Sequence, residues 1–470
     1  MIFRDYIDSP CGLRFILDQL QLMSSCGRKR LLSKELITSE DEREKCYSQL
    51  KETFKTLYGN PSPQISATLA SVKHKLMCLR DIEGTLLRLK GKVVLDDIDL
   101  FEIKYLALLN NAVREDIRIL NISGFELNDL EDVVSILDPD GVKAEGFYVY
   151  DAYSKELANI RKELKGLKIS ASKGMAEVSA TSDRELELLG KEKLLEVQIR
   201  EELSDKLRAY STLLLDSLNT LSDLDILLAK SLMIKSLGFC FPKVSSDGTT
   251  IYKGMFHPYI VYLYRENASG GKEKEFTPID IDFSLESISI IGANMGGKTV
   301  VLKMLALNQL LFQFGFGVAA HSATIDIKEG VEICIEKQED MTSGYSSFAS
   351  EVKSIDKVIQ RALAGERILA VVDEPARTTN PIEGTALVGA LLNILKQRNI
   401  SLILTTHYNV KGNYFRRFRV NGLKDGKMDY MLKETTEEDV PHEAINVARS
   451  LDVNKEWIEL AQRELGNNKK

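Results

Sequence analysis

The chain has 470 residues, 44% of them hydrophobic and 28% charged, the balance of a globular protein long enough for two or three cores. No run reaches the ~18 apolar residues of a membrane span; the nearest, 304–320, is interrupted by Asn308, Gln309 and Gln313. The net charge of −7 gives no support to a dedicated duplex-binding surface, which favours a basic balance.

The opening stretch MIFRDYIDSP carries charges where a signal peptide needs an apolar run, so a cytoplasmic location is expected. The six cysteines (Cys11, Cys26, Cys46, Cys78, Cys240, Cys334) form no CxxC pair and read as small buried hydrophobes in a reducing compartment, not as a zinc site. The basic clusters Arg28-Lys29-Arg30 and Arg416-Arg417-Phe418-Arg419 are short and read as solvated faces.

Residues 1–58 read as helices, with an apolar stripe at Phe15, Ile16, Leu17, Leu20 and Leu22 and a capped, acidic helix start at Thr38–Glu42. Gly59-Asn60-Pro61-Ser62-Pro63 is a breaker. Helix resumes from Gln64 to Leu89, and again around Leu100–Ile117. Leu137–Gly141 is a turn, Tyr150–Leu167 a helix and Ile169–Ala180 a connection of small residues. The longest helical pattern runs over 182–235. As a single helix it would reach roughly 80 Å, a lever or half of an antiparallel coiled pair; as two helices it would bend within the run.

At Gly238–Pro242 the composition changes. Strand-like runs begin at Thr250–Tyr252 and Ile260–Tyr264, Tyr264–Glu275 reads as a surface loop, and strands alternate with helices to about 436, the pattern of an α/β domain with a largely parallel sheet.

Within that region Gly292-Ala293-Asn294-Met295-Gly296-Gly297-Lys298-Thr299 fits the phosphate-loop pattern G-x-x-x-x-G-K-[ST]. It follows the buried strand Ser287–Ile291 and opens a helix from Val300 to Phe314. The glycines let backbone N–H groups close on phosphate oxygens at the positive end of that helix. Lys298 would reach the β- and γ-phosphates and Thr299 would hold Mg²⁺. A second strand, Ile368–Val372, delivers Asp373 to the Mg²⁺ shell and Glu374 to the attacking water. Ser343–Glu351 places hydroxyls at a helix start, an anion site suited to a nucleotide held by a partner chain. The strand before Thr405-Thr406-His407 ends in a histidine that reads as a γ-phosphate sensor.

These four features, in this order, resemble the MutS family of ATPases, relatives of the ABC ATPases. The family's G-P-N-M-G-G-K-S is matched by Gly292–Thr299 with Ala293 in place of proline, its S-G-x-S-T-F by Ser343–Phe348 and its A-T-H-Y by Thr405–Tyr408. Its D-E-x-G-R-G-T-S-x-x-[DE]-G is matched from Asp373 to Gly384, with Arg377 and Thr379 in place and both inner glycines lost. Phe256-His257-Pro258 is similar to the family's R-H-P, and Phe276 stands where an aromatic stacks on adenine. Asp81-Ile82-Glu83 with Arg88 is similar to a motif of the helical core, and 442–465 to the C-terminal helix-turn-helix that locks subunits together.

The resemblance implies an α plus α/β chain: a helical core and lever domain over 1–237, with a reduced clamp at about 165–195, a MutS-type ATPase domain over 238–438, and a helical dimerisation tail over 439–470. It implies ATP and Mg²⁺ as ligands, with Gly292, Asn294, Met295, Gly296, Gly297, Lys298, Thr299, Val300 and Phe276 around the nucleotide. Thr299 and Asp373 would take the metal, and Glu374, His407 and Lys298 would act in catalysis. It implies a homodimer, or a pair with a related subunit, in which Ser346 and Ser347 of one copy complete the site of the other. No mismatch-reading domain is expected ahead of the helical core and no nuclease-like tail after residue 465. The phrase Asp373–Pro381 is most similar to a MutS-related group encoded beside cobalamin-dependent lysine and ornithine aminomutases. That implies a protein client to be reactivated; the alternative is a DNA-binding ATPase acting on mismatched or branched duplex.

Overall fold

The computed structural model describes the chain except for residues 123, 143–145, 173–177, 267–275, 293–296, 337–346, 413, 425–426, 437–452 and 468–470. It is built of helices and two sheets, and it divides into two compact units: one of 1–21, 32–51 and 230–470, the other of 22–31 and 52–229. The sequence reading drew its boundary at 237/238, whereas this division puts two N-terminal segments with the α/β region. The reason is packing. Phe3 lies edge-on to Phe314 with ring centroids 5.0 Å apart, Tyr47 donates to the carbonyls of Phe312 and Phe316, and Gln313 Nε2 donates to Ile37 O at 3.0 Å.

In the first unit the short N-terminal helices α1 (Phe3–Tyr6) and α2 (Leu13–Gln19) precede the strands. A four-stranded sheet joins β1 (Lys243–Val244), β2 (Thr250–Met255), β3 (Ile279–Phe283) and β5 (Ser322–Ile325) in the order β1-β5-β2-β3. A six-stranded sheet has the order β10-β9-β4-β8-β7-β6, from β4 (Ser287–Ile291), β6 (Gly330–Cys334), β7 (Ile368–Val372), β8 (Ile400–Thr405), β9 (Arg416–Lys424) and β10 (Lys427–Glu434). Only the β9–β10 pair is antiparallel; β9, β4, β8, β7 and β6 run parallel. Every residue of β4, β7 and β8 is buried, as expected of parallel strands covered on both faces. The core between β7, β8 and the flanking helices gathers Val358, Val372, Val388, Leu392, Leu402 and Leu404.

The second unit is helical. It holds α3 (Ser25–Leu32) up to Leu31, α5 (Pro63–Met77), α6 (Glu83–Lys90), α7 (Asp97–Leu120), α8 (Glu131–Leu137), α9 (Lys155–Ser172) and α10 (Val178–Arg208). Local chemistry sets the ends. The Ser62 hydroxyl caps α5, with Pro63 at its first position, and Asp96 and Asp99 form a reciprocal capping box on α7. Three helices, α3 at its last residue, α4 (Glu40–Tyr58) and α11 (Ser211–Leu237), contain points at which the chain passes from one unit to the other.

One open alternative is decided and two expectations are corrected. The run 182–235 is two helices, α10 and α11, separated at Ala209-Tyr210; neither Pro nor Gly marks the break, so the leucine periodicity ran through it. The stretch 64–89 is likewise divided, α5 ending at Met77 and α6 starting at Glu83. Ile260–Tyr264 is not a strand but part of helix α12 (Pro258–Glu266). Pro258 at the first helical position outweighs the β-branched and aromatic composition, and the helix stacks Tyr259 and Tyr262 on Phe15. Most of the expected loop 264–275 and the first part of the expected C-terminal helix-turn-helix lie outside the described residues; α13 to α15 are introduced below, and α16 (Lys455–Asn467) is the helix at the C-terminal end. No helix among the described residues is long and apolar enough to cross a membrane.

Candidate functional site: a phosphate loop between two carboxylates

Parallel register brings three strand ends together. β4 pairs with β8 (Ile290 opposite Thr405), and β8 pairs with β7 (Leu404 opposite Val372). Gly292 at the end of β4, the Thr405–His407 segment after β8 and the Asp373-Glu374 pair after β7 therefore share one edge of the sheet. This carboxyl edge is where open α/β sheets bind ligands.

Helix α13 (Lys298–Gln313) starts at Gly297, whose φ of +88° is a left-handed conformation that suits glycine. Residues 293–296, including Asn294, Met295 and Gly296, lie outside the described set. Lys298 is 4% exposed. Its Nζ donates to Gly292 O at 2.8 Å and lies 3.1 Å from Glu374 Oε1. Thr299 Oγ1 donates to Asp373 Oδ2 at 2.9 Å. Val300 is half-buried in the first turn. Asp373 is fixed from two further sides: its N–H donates to Cys334 O at 2.9 Å, and its Oδ1 accepts from Thr405 Oγ1 at 2.6 Å.

His407 sits beside this group with its Nδ1 buried and unpartnered among the described residues. Burial lowers its pKa; nearby Glu374 opposes that, while Lys298 and Arg377 reinforce it. On balance burial favours the neutral imidazole, whose Nδ1 has no partner among the described residues.

The loop after Glu374 is clamped. Glu374 and Ala376 both adopt left-handed backbone, at φ +42° and +62°. Ala376 N donates to Glu351 Oε1 at 2.5 Å, and Tyr408 Oη donates to Ala376 O at 2.6 Å. Glu351 belongs to α14 (Ser347–Leu363), and burial raises its pKa. Asn380 caps α15 (Pro381–Ile394) through Ile382 N at 2.9 Å.

The structure therefore brings Lys298, Thr299, Asp373, Glu374 and His407 together with Gly292 and Gly297. Ser346 lies outside the described residues, and Ser347 is the first residue of α14. Phe276 stacks on Tyr430, ring centroids 4.9 Å apart and planes at 19°. Sequence reasoning missed Thr405, Glu351, Tyr408 and Tyr430 as supports, because each acts through a contact with a distant part of the chain.

Residues 288–461 match the family model described as MutS domain V. The chain is also similar to curated proteins named Endonuclease MutS2. That of Agathobacter rectalis is 33% identical over 211 residues, 44% of this chain and 25% of the relative. That of Caldicellulosiruptor bescii is 28% identical over 268 residues, 53% and 32% respectively, and that of Halothermothrix orenii 30% over 239 residues, 50% and 28%. The chain thus spans about a quarter to a third of the length of these relatives, and the family model's match, 288–461, covers the region that carries the candidate site.

The donor set fits a magnesium nucleotide. A hydroxyl and a carboxylate oxygen meet at Thr299 and Asp373, the hard oxygen ligands that Mg²⁺ takes alongside substrate phosphates and water. Among the described residues there is no group of three or more His, Cys, Asp or Glu that could make an all-protein metal cage.

Proposed function

We propose that this protein binds MgATP in the glycine loop and hydrolyses it, and that the reaction is completed in a dimer. The carrying observation is that Lys298, Thr299, Asp373 and Glu374 converge through contacts of 2.9 and 3.1 Å. Lys298 exchanges Glu374 for the β- and γ-phosphate oxygens when nucleotide enters. Thr299 and Asp373 would hold Mg²⁺, which would neutralise charge on the phosphates. Glu374, released from Lys298, takes the proton of the attacking water as its oxygen bonds to the γ-phosphorus and the bond to the bridging oxygen of ADP breaks. His407 donates an imidazole N–H to a γ-phosphate oxygen. Phe276 takes the adenine, and Ser346 and Ser347 reach the nucleotide of a second copy. Of the segment 1–237, the part in the helical unit serves as lever, while 238–438 serves as motor and 439–470 as dimerisation tail.

Turnover assays test this. Lys298→Ala should abolish nucleotide binding, and Glu374→Gln should bind ATP and hydrolyse it at least a hundredfold more slowly, on the order expected for loss of a general base. Full turnover in Glu374→Gln would overturn the base assignment.

For the client, the similarity to proteins named endonucleases favours a nucleic-acid substrate. Helix α9 adds exposed Lys162, Lys165 and Lys168. Reversing these three charges to Glu should weaken duplex or branched DNA binding and flatten its salt dependence. Binding that ignores both salt and these charges would count against DNA. A second reading, reactivation of a protein client such as a cobalamin-dependent aminomutase, draws on the likeness over Asp373–Pro381 and on the ion pairing of the basic clusters. Lys29 is engaged by Asp81 and Glu83, Arg30 by Asp223, and Arg416 by Asp282, Glu286 and Glu434. Affinity capture that recovers no aminomutase subunit would remove this reading.

A further inference from the structure

Thr405 is fully buried, and its hydroxyl touches both acidic residues of the site at once. It gives its single proton to Asp373 Oδ1 at 2.6 Å, so only its lone pairs remain, and one of these accepts the backbone N–H of Glu374 at 2.8 Å. Each bond fixes something different. The first anchors one oxygen of Asp373 and leaves Oδ2, the oxygen bonded to Thr299, as the one directed at the first turn of α13. The second pins the amide of a non-glycine residue at φ +42°, a conformation that costs energy unless its surroundings hold it. Neither job is done by packing alone, because valine would fill the same volume and supply neither bond.

We infer that Thr405 is a positioning residue that sets the metal-facing oxygen of Asp373 and the backbone of Glu374. The inference rests on the magnesium-nucleotide reading above. It predicts that the hydroxyl matters most to the gain in nucleotide affinity that Mg²⁺ confers, since partners that orient a metal ligand are typically worth about 10- to 100-fold in metal affinity.

The experiment compares wild type with Thr405→Val, Thr405→Ala and Thr405→Ser in the full chain. ADP affinity is titrated in Mg²⁺ and in EDTA, and thermal unfolding is followed alongside. Thr405→Val and Thr405→Ala should lose about tenfold or more of the Mg²⁺-dependent gain while binding ADP in EDTA as wild type does, and Thr405→Ser should restore the gain. An unchanged Mg²⁺-dependent gain in Val and Ala overturns the inference, as does an equal loss in EDTA and in Mg²⁺, which is the mark of a merely structural role. If Ala alone folds, it decides the matter against Ser. A wild-type protein that shows the Mg²⁺ gain but never turns ATP over would sink the hydrolysis reading and leave this inference standing.

Discussion

The hydroxyl of Tyr408 donates to the carbonyl of Ala376 at 2.6 Å, clamping a left-handed alanine two residues after Glu374. The MutS-type motif has glycine at this point, where left-handed backbone carries no Cβ penalty. Alanine here pays about 1–2 kcal/mol for that conformation, and the clamp from Tyr408 and Glu351 holds it in place. Ala376→Gly should therefore leave stability within about 1 kcal/mol of wild type, because relief of strain offsets the lost methyl and the added chain entropy. Tyr408→Phe strands the Ala376 carbonyl and should cost about 1–2 kcal/mol. Denaturant midpoints of the two variants check both signs.

The Lys298–Glu374 ion pair makes a prediction separate from catalysis. Both groups are largely buried, at 4% and 14% side-chain exposure, so removing one charge leaves the other poorly compensated. Glu374→Gln should lower the stability of the nucleotide-free protein by about 1–3 kcal/mol, and saturating ATP, whose phosphates give Lys298 a new partner, should restore most of it. Thermal shift with and without nucleotide measures this. A variant as stable as wild type without nucleotide would show that the pair contributes nothing.

His257 gives the protein an acid-sensitive point away from the nucleotide. It is 4% exposed, its Nδ1 has no partner among the described residues, and burial, with Lys303 nearby, pushes its pKa down to about 4. An unfolded histidine titrates near 6.5, so between these values the unfolded chain binds the extra proton. The stabilisation is complete above about pH 6.5 and is lost as pH falls toward about 4. Unfolding midpoints should drop between pH 7 and pH 5, and His257→Gln should flatten that slope. An identical slope in the variant would show that other groups carry it.

In the helical unit, buried Asp225 receives Met23 N at 2.9 Å, Ser24 N at 2.8 Å and Ser24 Oγ at 2.6 Å, satisfying amides at the start of α3. A Cβ on Gly27 would stand 2.5 Å from Asp225 Oδ2. Gly27→Ala should thus destabilise despite alanine's better helix propensity, and Asp225→Ala, which orphans three donors, should cost about 3 kcal/mol or more. If Gly27→Ala raised the melting temperature, the helix start would have to be looser than this contact implies.

Much of the candidate site was legible in the chain because its elements are local. A buried strand, a glycine loop and a helix read in sequence, and an apolar run ending in two carboxylates announces where they emerge. β4, β7 and β8 form as expected. The supports were not legible, since Thr405, Glu351 and Tyr408 look ordinary until strand pairing sets them beside Asp373, Glu374 and Ala376. Ile260–Tyr264 was misread for a related reason: strand composition is a packing preference, and here the packing partner is the ring of Phe15.

By itself the sequence determined the glycine-rich pattern between β4 and α13, the alternation of strands and helices after Gly238, and the acidic pair at the end of β7, because covalent order and short-range periodicity carry that information. Only the tertiary structure decided that α10 and α11 are separate helices, that residues 1–21 and 32–51 share a unit with the α/β region, and that one buried threonine hydroxyl serves both carboxylate residues. Those outcomes depend on contacts between residues far apart in the chain, whose energies are settled when the sheet and its helices pack.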